Sequence, residues 1–314
     1  MGLLSRRALF RRVGGGVGAA VAGGAVALAS APPAGASEVR KAPAGAVGML
    51  YDATKCIGCK ACVAECAKVN DLTPDTAPSN GLWQMPADLD VRTKNVIKLY
   101  VDEATGESSF VKRQCMHCVD PSCVSGCPFN ALHKEPEQGI VAWDSTRCIG
   151  CRYCEVACPF EIPKFEWQAF NPKIVKCELC RHILDRDGQP GCTRVCPTGA
   201  VIYGGRAALL AEAKQRVVDR PGVYHEGRVY GEHEAGGTQV LYLSHLPFEK
   251  LGLPTLSDRA LPAGTRHLGG PLGKLVALPI VLYAVFLRFF RRNWKVHEEE
   301  VARLKAERGL EEQL

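Results

Sequence analysis

The sequence predicts an α+β fold of two compact cysteine-rich modules, preceded by a targeting segment and followed by one apolar C-terminal helix. Three observations lead to this prediction. All sixteen cysteines of the 314-residue chain fall into four tight groups. Short apolar runs typical of strands, and one Ala/Leu-rich run typical of a helix, lie between and after those groups. Segments of different composition flank the cysteine-rich body on both sides.

The first 36 residues have the features of an export signal. Arg6 and Arg7 precede a weakly hydrophobic, Gly- and Ala-rich stretch, and Ala34-Gly35-Ala36 has the small-residue pattern of a cleavage site. This combination predicts a twin-arginine signal over residues 1–36, with a membrane anchor as the weaker alternative. The glycines at 14–18 do not indicate a dinucleotide loop, because no strand precedes them. Removing the segment, which has four arginines and no acid, lowers the formal net charge from +6 to +2.

Residues 37–246 form the predicted globular body, which holds every cysteine. After the last cysteine, the pattern predicts a strand at 200–203, a helix at 206–218 and a second strand at 238–243. Residues 247–271 are rich in Pro and Gly, which indicates a linker. No basic stripe interleaved with aromatic residues occurs, so nucleic acid is not an expected partner.

Residues 272–290 are predicted to form a transmembrane helix. Only Lys274 and Arg288 are charged, both lie near the ends, and nineteen helical residues span about 28 Å. A buried amphipathic helix is the alternative, but the segment is apolar on all sides. Arginines and lysine follow it, so the positive-inside rule places the tail at 291–314 in the cytoplasm and the cysteine-rich body at the periplasmic face of the membrane.

The cysteines are arranged in four groups of four. Groups one and three have the run C-x2-C-x2-C-x3-C, whereas groups two and four have four and eleven residues before the third cysteine. Group one is Cys56, Cys59, Cys62 and Cys66; group two is Cys115, Cys118, Cys123 and Cys127; group three is Cys148, Cys151, Cys154 and Cys158; group four is Cys177, Cys180, Cys192 and Cys196.

This run is the bacterial ferredoxin signature, in which the fourth cysteine binds the other cluster of a pair. Three thiolates on one tight loop reach three iron corners of a cubane, and the fourth cysteine has already left along a helix. Other uses of cysteine fit less well. Zinc sites favour paired C-x2-C sets, cysteines three apart on one loop pair poorly as disulfides, and no C-x-x-C-H haem motif occurs. The pattern therefore predicts tandem ferredoxin-like modules holding four 4Fe–4S clusters.

The expected exchange of fourth cysteines leaves two ways to pair the groups. A strand, a turn near Glu137 and a second strand connect groups two and three, so we expect these to form one module and groups one and four the other. Pairing one with two and three with four is the alternative. The first pairing predicts four ligand sets: site A, Cys56, Cys59, Cys62 and Cys196; site B, Cys66, Cys177, Cys180 and Cys192; site C, Cys115, Cys118, Cys123 and Cys158; site D, Cys127, Cys148, Cys151 and Cys154.

Other polar residues near the groups are predicted to play lesser roles. No nucleophile–base set, phosphate loop or molybdenum or nickel motif is found, so we expect no catalytic residues. His117, His133 and His182 are expected at the surface or beside the ligands. Four cubanes add about −8 in charge, which nearby cations would offset unless they are merely solvated: Lys55, Lys60, Arg147, Arg152 and Lys176.

Several stretches resemble one family of respiratory proteins. They are Gly48-Met49-Leu50-Tyr51-Asp52, then residues 114–121 (Gln-Cys-Met-His-Cys-Val-Asp-Pro), residues 191–197 and residues 236–240 (Gly-Gly-Thr-Gln-Val). With these motifs, the chain resembles the four-cluster ferredoxin-like subunits of respiratory oxidoreductases. It is most similar to the iron–sulfur subunit of periplasm-facing, hydrogenase-2-type nickel–iron hydrogenases. Formate dehydrogenase electron-transfer subunits share the four groups.

The resemblance implies a path for electrons. Hydrogenase large and small subunits oxidise hydrogen and supply the electrons, which pass through four 4Fe–4S clusters here to a multi-helix membrane subunit that reduces quinone. The same subunit of a periplasm-facing formate dehydrogenase is the alternative. A free-standing carrier is a third hypothesis, which the predicted membrane helix disfavours because a diffusing carrier gains nothing from a tether.

Overall fold

The computed structural model describes residues 40–74, 85–167, 169 and 172–264, together with most of residues 282–303. The chain divides into two units, Met1–Ser37 and Glu38–Leu314, and all described residues belong to the second. The predicted signal at 1–36 therefore lies outside the described residues.

A three-stranded sheet forms the centre of the body. Its middle strand β1 (Val47–Asp52) pairs antiparallel with β8 (Val201–Gly205) and parallel with β9 (Val240–Leu243). Five of the six β1 residues are buried, as expected for a strand with both faces covered. The sheet thus joins the residues before group one to those after group four.

Helix α6 (Arg206–Asp219) covers one face of this sheet. Leu209 and Ala213 lie one turn apart and pack with Leu50 and Leu241 in a small apolar core. The predicted helix at 206–218 and the predicted strands on either side of it are confirmed, with β9 starting two residues later than expected.

Three antiparallel hairpins extend from the body: β2 (Asn95–Val101) with β3 (Ser108–Gln114), β4 (Leu132–Lys134) with β5 (Val141–Trp143), and β6 (Lys164–Phe165) with β7 (Ile174–Val175). The strand–turn–strand between groups two and three is confirmed. Its first strand starts at Leu132, after a turn following Cys127 in which Asn130 adopts a left-handed conformation.

Short helices carry many of the cysteines. These are α1 (Ala61–Val69), α2 (Ser122–Ser125), α3 (Tyr153–Ala157), α4 (Leu184–Asp187) and α5 (Gly191–Arg194). Short 3-10 helices lie at Ala53–Lys55, His225–Gly227, Glu234–Gly236 and Leu261–Gly264. Helix α1 packs on α5, and α2 packs on α3. The close approach occurs at small residues: a Cβ on Gly126 would lie 3.3 Å from the Ala157 methyl group.

The largest apolar core surrounds cysteines of several groups. Cys62, Cys115, Cys177 and Cys192 are buried in it with the β1 side chain of Met49, among others. A fully buried carboxylate, Asp52, ties the start of group one to α6. Its oxygens accept hydrogen bonds from Thr54, from Arg216 (3.2 Å) and from the Tyr224 hydroxyl (3.0 Å).

The predicted linker packs on the body over its described part. Phe248 and Leu253 are buried in the main core, and the Tyr230 hydroxyl donates to the Pro254 carbonyl oxygen at 2.6 Å. Residues 265–271 lie outside the described part.

Every residue described between 282 and 303 is helical. In the described part of the chain, we find no helix that combines the length and the apolar character needed to cross a membrane. The predicted transmembrane segment at 272–290 falls largely outside that part, since residues 272–281, 284 and 289 are not described.

Candidate metal centres

The loop of group one depends on two left-handed residues. Gly58 has φ +68° and Lys60 has φ +59°, and Lys60 then caps the start of α1. A Cβ on Gly58 would lie 2.3 Å from the Phe110 ring, so only glycine fits there. The loop therefore curls around its first three cysteines, and the fourth, Cys66, leaves one helical turn after Cys62.

Group three repeats this backbone. Gly150 has φ +71° and Arg152, which caps α3, has φ +63°. Phe165 and Pro172 cover the loop, and a Cβ on Gly150 would lie 2.9 Å from the Pro172 ring. Equal cysteine spacing thus gives equal local conformation in two distant parts of the chain.

Groups two and four reach a similar arrangement with longer insertions. His117 in group two and both Leu179 and Cys180 in group four have positive φ. The third cysteines, Cys123 and Cys192, are buried on the short helices α2 and α5. In group four the Leu179 amide also donates to the Cys177 sulfur at 3.4 Å.

The structure brings group one and Cys196 together. Burial raises the pKa of the Cys56 and Cys62 thiols, and the Cys59 and Cys196 thiols raise both further. Cys56 and Cys196 are 140 positions apart in the sequence, and the β1–β8 pairing closes that distance. These are the four cysteines of predicted site A.

Cys66 lies instead with the first three cysteines of group four. Burial raises the pKa of Cys177 well above its ordinary value, and the Cys180, Cys66 and Cys192 thiols raise it further. One side-chain amide, that of Asn70, lies 3.7 Å from the Cys66 sulfur and 3.9 Å from the Cys180 sulfur. These are the cysteines of predicted site B, and all four are buried.

The last cysteines of groups two and three each lie near the other group: Cys158 packs against the main core that holds Cys115, and Cys127 packs with Cys148 and Cys154 in a smaller core. The pKa of Cys118 is raised well above its ordinary value by burial and then by the thiols of Cys115, Cys123 and Cys158, the set predicted for site C. Burial, with the Cys127, Cys148 and Cys151 thiols, raises the pKa of Cys154 to about 12. That set is the one predicted for site D.

Interactions between the sets follow one order. The Cys62 thiol of site A raises the pKa of Cys192 of site B. The Cys115 thiol of site C raises the pKa of Cys177 of site B. The Cys154 thiol of site D likewise raises the pKa of Cys123 of site C. Packing agrees with this order: one core holds cysteines of A, B and C, and a smaller core joins Cys123 of C to Cys154 of D. Exposed apolar side chains mark both ends, with Ile57 56% exposed at A and Ile149 61% exposed at D.

Three lysines, two of them missed by sequence reasoning, lie among the cysteines: Lys112 and Lys176 are buried and Lys134 is half-buried. Lys134 donates to the Cys118 carbonyl oxygen (2.9 Å), the Gly139 carbonyl oxygen and the Gln239 side chain, and burial lowers its pKa to about 8. Lys176, which the sequence did single out, donates to the carbonyl oxygens of Val141 and Cys177. Lys112 is fully buried in β3. No local pattern marks a lysine whose burial depends on distant segments.

The other residues singled out near the groups have mostly surface roles. Arg147 pairs with Asp144 at 3.3 Å, and the Arg152 guanidinium lies 4.0 Å from the centre of the Trp167 ring. Lys60 donates to the Met85 carbonyl oxygen. Lys55 and His133 are half-buried.

The histidines occupy contrasting positions. His182 is exposed, and its Nε2 lies 2.9 Å from the Val69 carbonyl oxygen. His117 is fully buried, and its Nδ1 accepts a hydrogen bond from the Val141 amide at 3.1 Å. Burial lowers the pKa of His117 well below its ordinary value, with Lys176 and Lys134 adding to the effect. The contact with the Val141 amide requires an unprotonated Nδ1.

Each cysteine set supplies four thiolates, one for each iron corner of a cubane. Within the described ranges, no three His, Cys, Asp or Glu side chains converge as the ligands of one metal ion do. A cubane spreads its thiolates over four iron corners, so its ligands surround a volume instead of a point. Thiols that raise each other's pKa must lose their protons to bind metal, and iron supplies the positive charge that makes this favourable.

Comparison with known proteins gives the same chemistry. Residues 107–206 match the 4Fe-4S dicluster domain family. The chain is 41% identical to the hydrogenase-2 operon protein HybA of Escherichia coli O157:H7, over 83% of this chain and 88% of that protein. It is 37% identical to the nitrate-inducible formate dehydrogenase iron-sulfur subunit of Escherichia coli strain K12, over 63% of this chain and 68% of that protein. The predicted ferredoxin-like α+β fold and the predicted 4Fe–4S cofactors are confirmed.

Proposed function

The chain belongs to the family of the hydrogenase-2 operon protein HybA, which confirms the resemblance indicated by its motifs, and on this basis we propose its function. It is the electron-transfer subunit of a hydrogenase. It relays electrons from nickel–iron catalytic subunits through four 4Fe–4S clusters to a quinone-reducing membrane subunit.

The ligand sets of the four clusters are those of sites A to D. The mutual effects of the thiols within each set support this assignment. The alternative pairing of group one with group two would require Cys66 to approach group two, whereas Cys66 shares the Asn70 amide with Cys180.

The order of the sites is the observation that carries the proposal. When bound, each cubane accepts or releases one electron, with a potential set by its surroundings. The chain contributes thiolates in a single series from A to D, and an apolar core excludes water from its middle. Cys59 of site A is exposed and three cysteines of site D are half-buried, so the two ends are the places for a donor and an acceptor to dock.

Hydrogen-dependent electron flow tests the proposal. Anaerobic membranes from cells lacking this chain should lose reduction of quinone by hydrogen, while artificial dyes are still reduced by the catalytic subunits. The wild-type chain should restore quinone reduction, and a Cys180→Ser chain should not. Full quinone reduction by hydrogen without the chain would refute the proposed function.

The second candidate is the same role in a formate dehydrogenase. The 37% identity to the formate dehydrogenase iron-sulfur subunit favours it as the runner-up. The electron donor distinguishes the two: loss of formate-dependent rather than hydrogen-dependent quinone reduction, with molybdenum instead of nickel in the complex purified through this chain, would establish the second candidate.

The proposal includes location at the periplasmic face of the membrane. Residues 1–36 serve as a twin-arginine signal, and residues 272–290 anchor the body with the tail at 291–314 in the cytoplasm. Changing Arg6 and Arg7 to Lys together should leave the chain in the cytoplasm, and normal export of that variant would exclude the twin-arginine route. Truncation before Leu272 should release the cluster-loaded body from membranes, and retention there would exclude the anchor.

A further inference from the structure

Lys112 is a buried lysine without a visible counter-charge. Its side chain is fully buried in the middle of β3, and its Nζ atom makes no hydrogen bond to any described group. Removing an ammonium from water without a partner is strongly unfavourable. A lysine kept at such a position therefore requires a negative charge nearby.

The two other lysines among the cysteines, Lys176 (buried) and Lys134 (half-buried), do not have this problem. Lys134 donates to three oxygen atoms, and Lys176 donates to two carbonyl oxygens. Both therefore have polar partners within the protein itself. Lys112 differs from them in lacking such a partner, so ordinary hydrogen bonding does not explain its place.

The direction of the Lys112 side chain follows from the strand. Phe110 and Lys112 are two residues apart and so lie on the same face of β3. Phe110 covers the group-one loop at Gly58, which places this face of the strand against the cysteines. On the paired strand β2, Ile97 lies opposite Lys112.

The neighbouring groups that most strongly change the pKa of Lys112 are all cysteine thiols. Burial alone would lower the pKa of Lys112, but the thiols of Cys62, Cys192, Cys66 and Cys177 raise it above its ordinary value. Cys62 belongs to site A, and the other three belong to site B. Ile97, opposite Lys112 on β2, packs in one core with Cys62 of site A and with Cys177 and Cys192 of site B, so the lysine lies beside both ligand sets.

We propose that the Lys112 ammonium is a counter-charge shared by the clusters of sites A and B, and that it raises the reduction potentials of both. The inference rests on the proposed ligand sets. A cubane with four thiolates carries about −2 when oxidised and about −3 when reduced. A nearby cation stabilises the more negative form more strongly, and the low polarity of a buried site enlarges this difference.

Redox titration of the purified full-length chain, loaded with clusters and followed by electron paramagnetic resonance, tests this inference. Lys112→Met keeps the length of the side chain and removes its charge. Two of the four potentials should become more negative, each by at least tenfold in the reduction equilibrium constant, or about 59 mV for a one-electron couple. Lys112→Arg, which keeps the charge, should leave all four potentials near those of the wild type.

Lys98→Met is the matched control. Lys98 lies on β2 one position beyond Ile97, so it points to the opposite face, where it pairs with Asp88 at 2.8 Å. Its replacement removes the same charge from the same hairpin and should move none of the potentials. Iron analysis accompanies each titration.

The outcomes separate a role in charge from a role in packing. If Lys112→Met loses about half of its iron while Lys112→Arg retains it, the charge is needed to assemble sites A and B, which supports the proposal. Unchanged potentials in Lys112→Met, or equal shifts or equal iron loss in Met and Arg variants, would overturn it. A wild-type chain with fewer than four clusters would instead refute the proposed ligand sets.

Discussion

The loops at residues 56–62 and 148–154 share cysteine spacing and a Cys-Ile-Gly-Cys start, yet they lie in different surroundings. Both use a left-handed glycine followed by a left-handed cation. The first loop is covered by Phe110 and continues into α1, which packs on α5 within the main core. The second belongs to a small core around the β4–β5 hairpin.

Side chains at equivalent positions of the two loops also differ. Where the first copy has Ala61 and Ala64, the second has Tyr153 and Val156, which are 63% and 87% exposed. Large exposed apolar side chains grouped at one place mark interaction surfaces. One motif thus sets the ligands in both copies, while residues outside the motif decide whether a site is enclosed or presented to a partner.

The largest expected effect follows from the exchange of last cysteines. Cys196→Ser should disrupt the cluster of site A, because a cubane missing one thiolate exposes an iron corner. Cys56→Ser should disrupt the same cluster, so the double variant should lose no more iron than either single variant. Combining Cys196→Ser with Cys177→Ser should instead lose the clusters of both A and B.

Iron and sulfide analysis of the purified variants provides the measurement. Equal, additive losses for Cys56→Ser and Cys196→Ser would show that these cysteines bind different clusters. The corresponding pair in the second module is Cys148→Ser with Cys127→Ser, which should also be non-additive.

The two loop glycines allow a comparison of the side chains that pack over each loop. Alanine at either position has a left-handed backbone, which costs about 1–2 kcal/mol. At Gly58 the new methyl group would also lie 2.3 Å from the Phe110 ring, compared with 2.9 Å from Pro172 at Gly150. Gly58→Ala should therefore be the more destabilising variant, by about 1–3 kcal/mol more, which is the usual cost of an overpacked site.

Thermal unfolding of the two loaded variants tests this order. Phe110→Leu should partly restore the stability of Gly58→Ala and should not help Gly150→Ala. If Gly150→Ala proves the less stable of the two, the account of the Phe110 contact is wrong.

The exposed side chains at site D provide a smaller, functional effect. Replacing Tyr153 and Val156 together by Ser should slow hydrogen-dependent quinone reduction about tenfold, equivalent to about 1.4 kcal/mol of lost docking energy. Iron content should stay unchanged. The matched control, Ser at Ala61 and Ala64, removes little apolar surface and should have little effect; equal slowing by both variants would argue against docking at site D.

The smallest effect concerns hydrogen bonding to sulfur at site B. Lys94 donates to the Asn70 side-chain oxygen at 2.8 Å and so turns the Asn70 amide nitrogen toward the Cys66 and Cys180 sulfurs. Asn70→Leu removes this donor and should lower one potential, by less than about 59 mV, that is, less than tenfold. The other three potentials are internal controls in the same titration, and a shift in all four would indicate a general structural change.

The sequence was informative wherever local spacing determines structure. Cysteine intervals predicted four groups and cubane chemistry, and apolar periodicity predicted α6 and both outer strands of the central sheet. The β2–β3 hairpin was not predicted, because Lys98, Lys112 and Arg113 interrupt its apolar pattern. Their burial or exposure depends on distant segments that cover them.

The burial of the charged residues likewise depends on segments that are distant in the sequence. Proximity to a ligand in the sequence singled out the buried Lys176, but also Lys55, Lys60 and Arg152, which are half-buried, and Arg147, which is exposed. The fully buried Lys112 lies three residues before Cys115 in the sequence, but the thiols that raise its pKa belong to groups one and four. Which cation serves which site is therefore a property of the tertiary fold.

The most direct test of the account is the metal content of the intact chain purified without oxygen. Four cubanes require about sixteen iron and sixteen acid-labile sulfide per chain, and we expect these values together with negligible zinc. Stoichiometric zinc with little iron would contradict the central claim, and about eight iron per chain would show that only one of the two modules carries clusters.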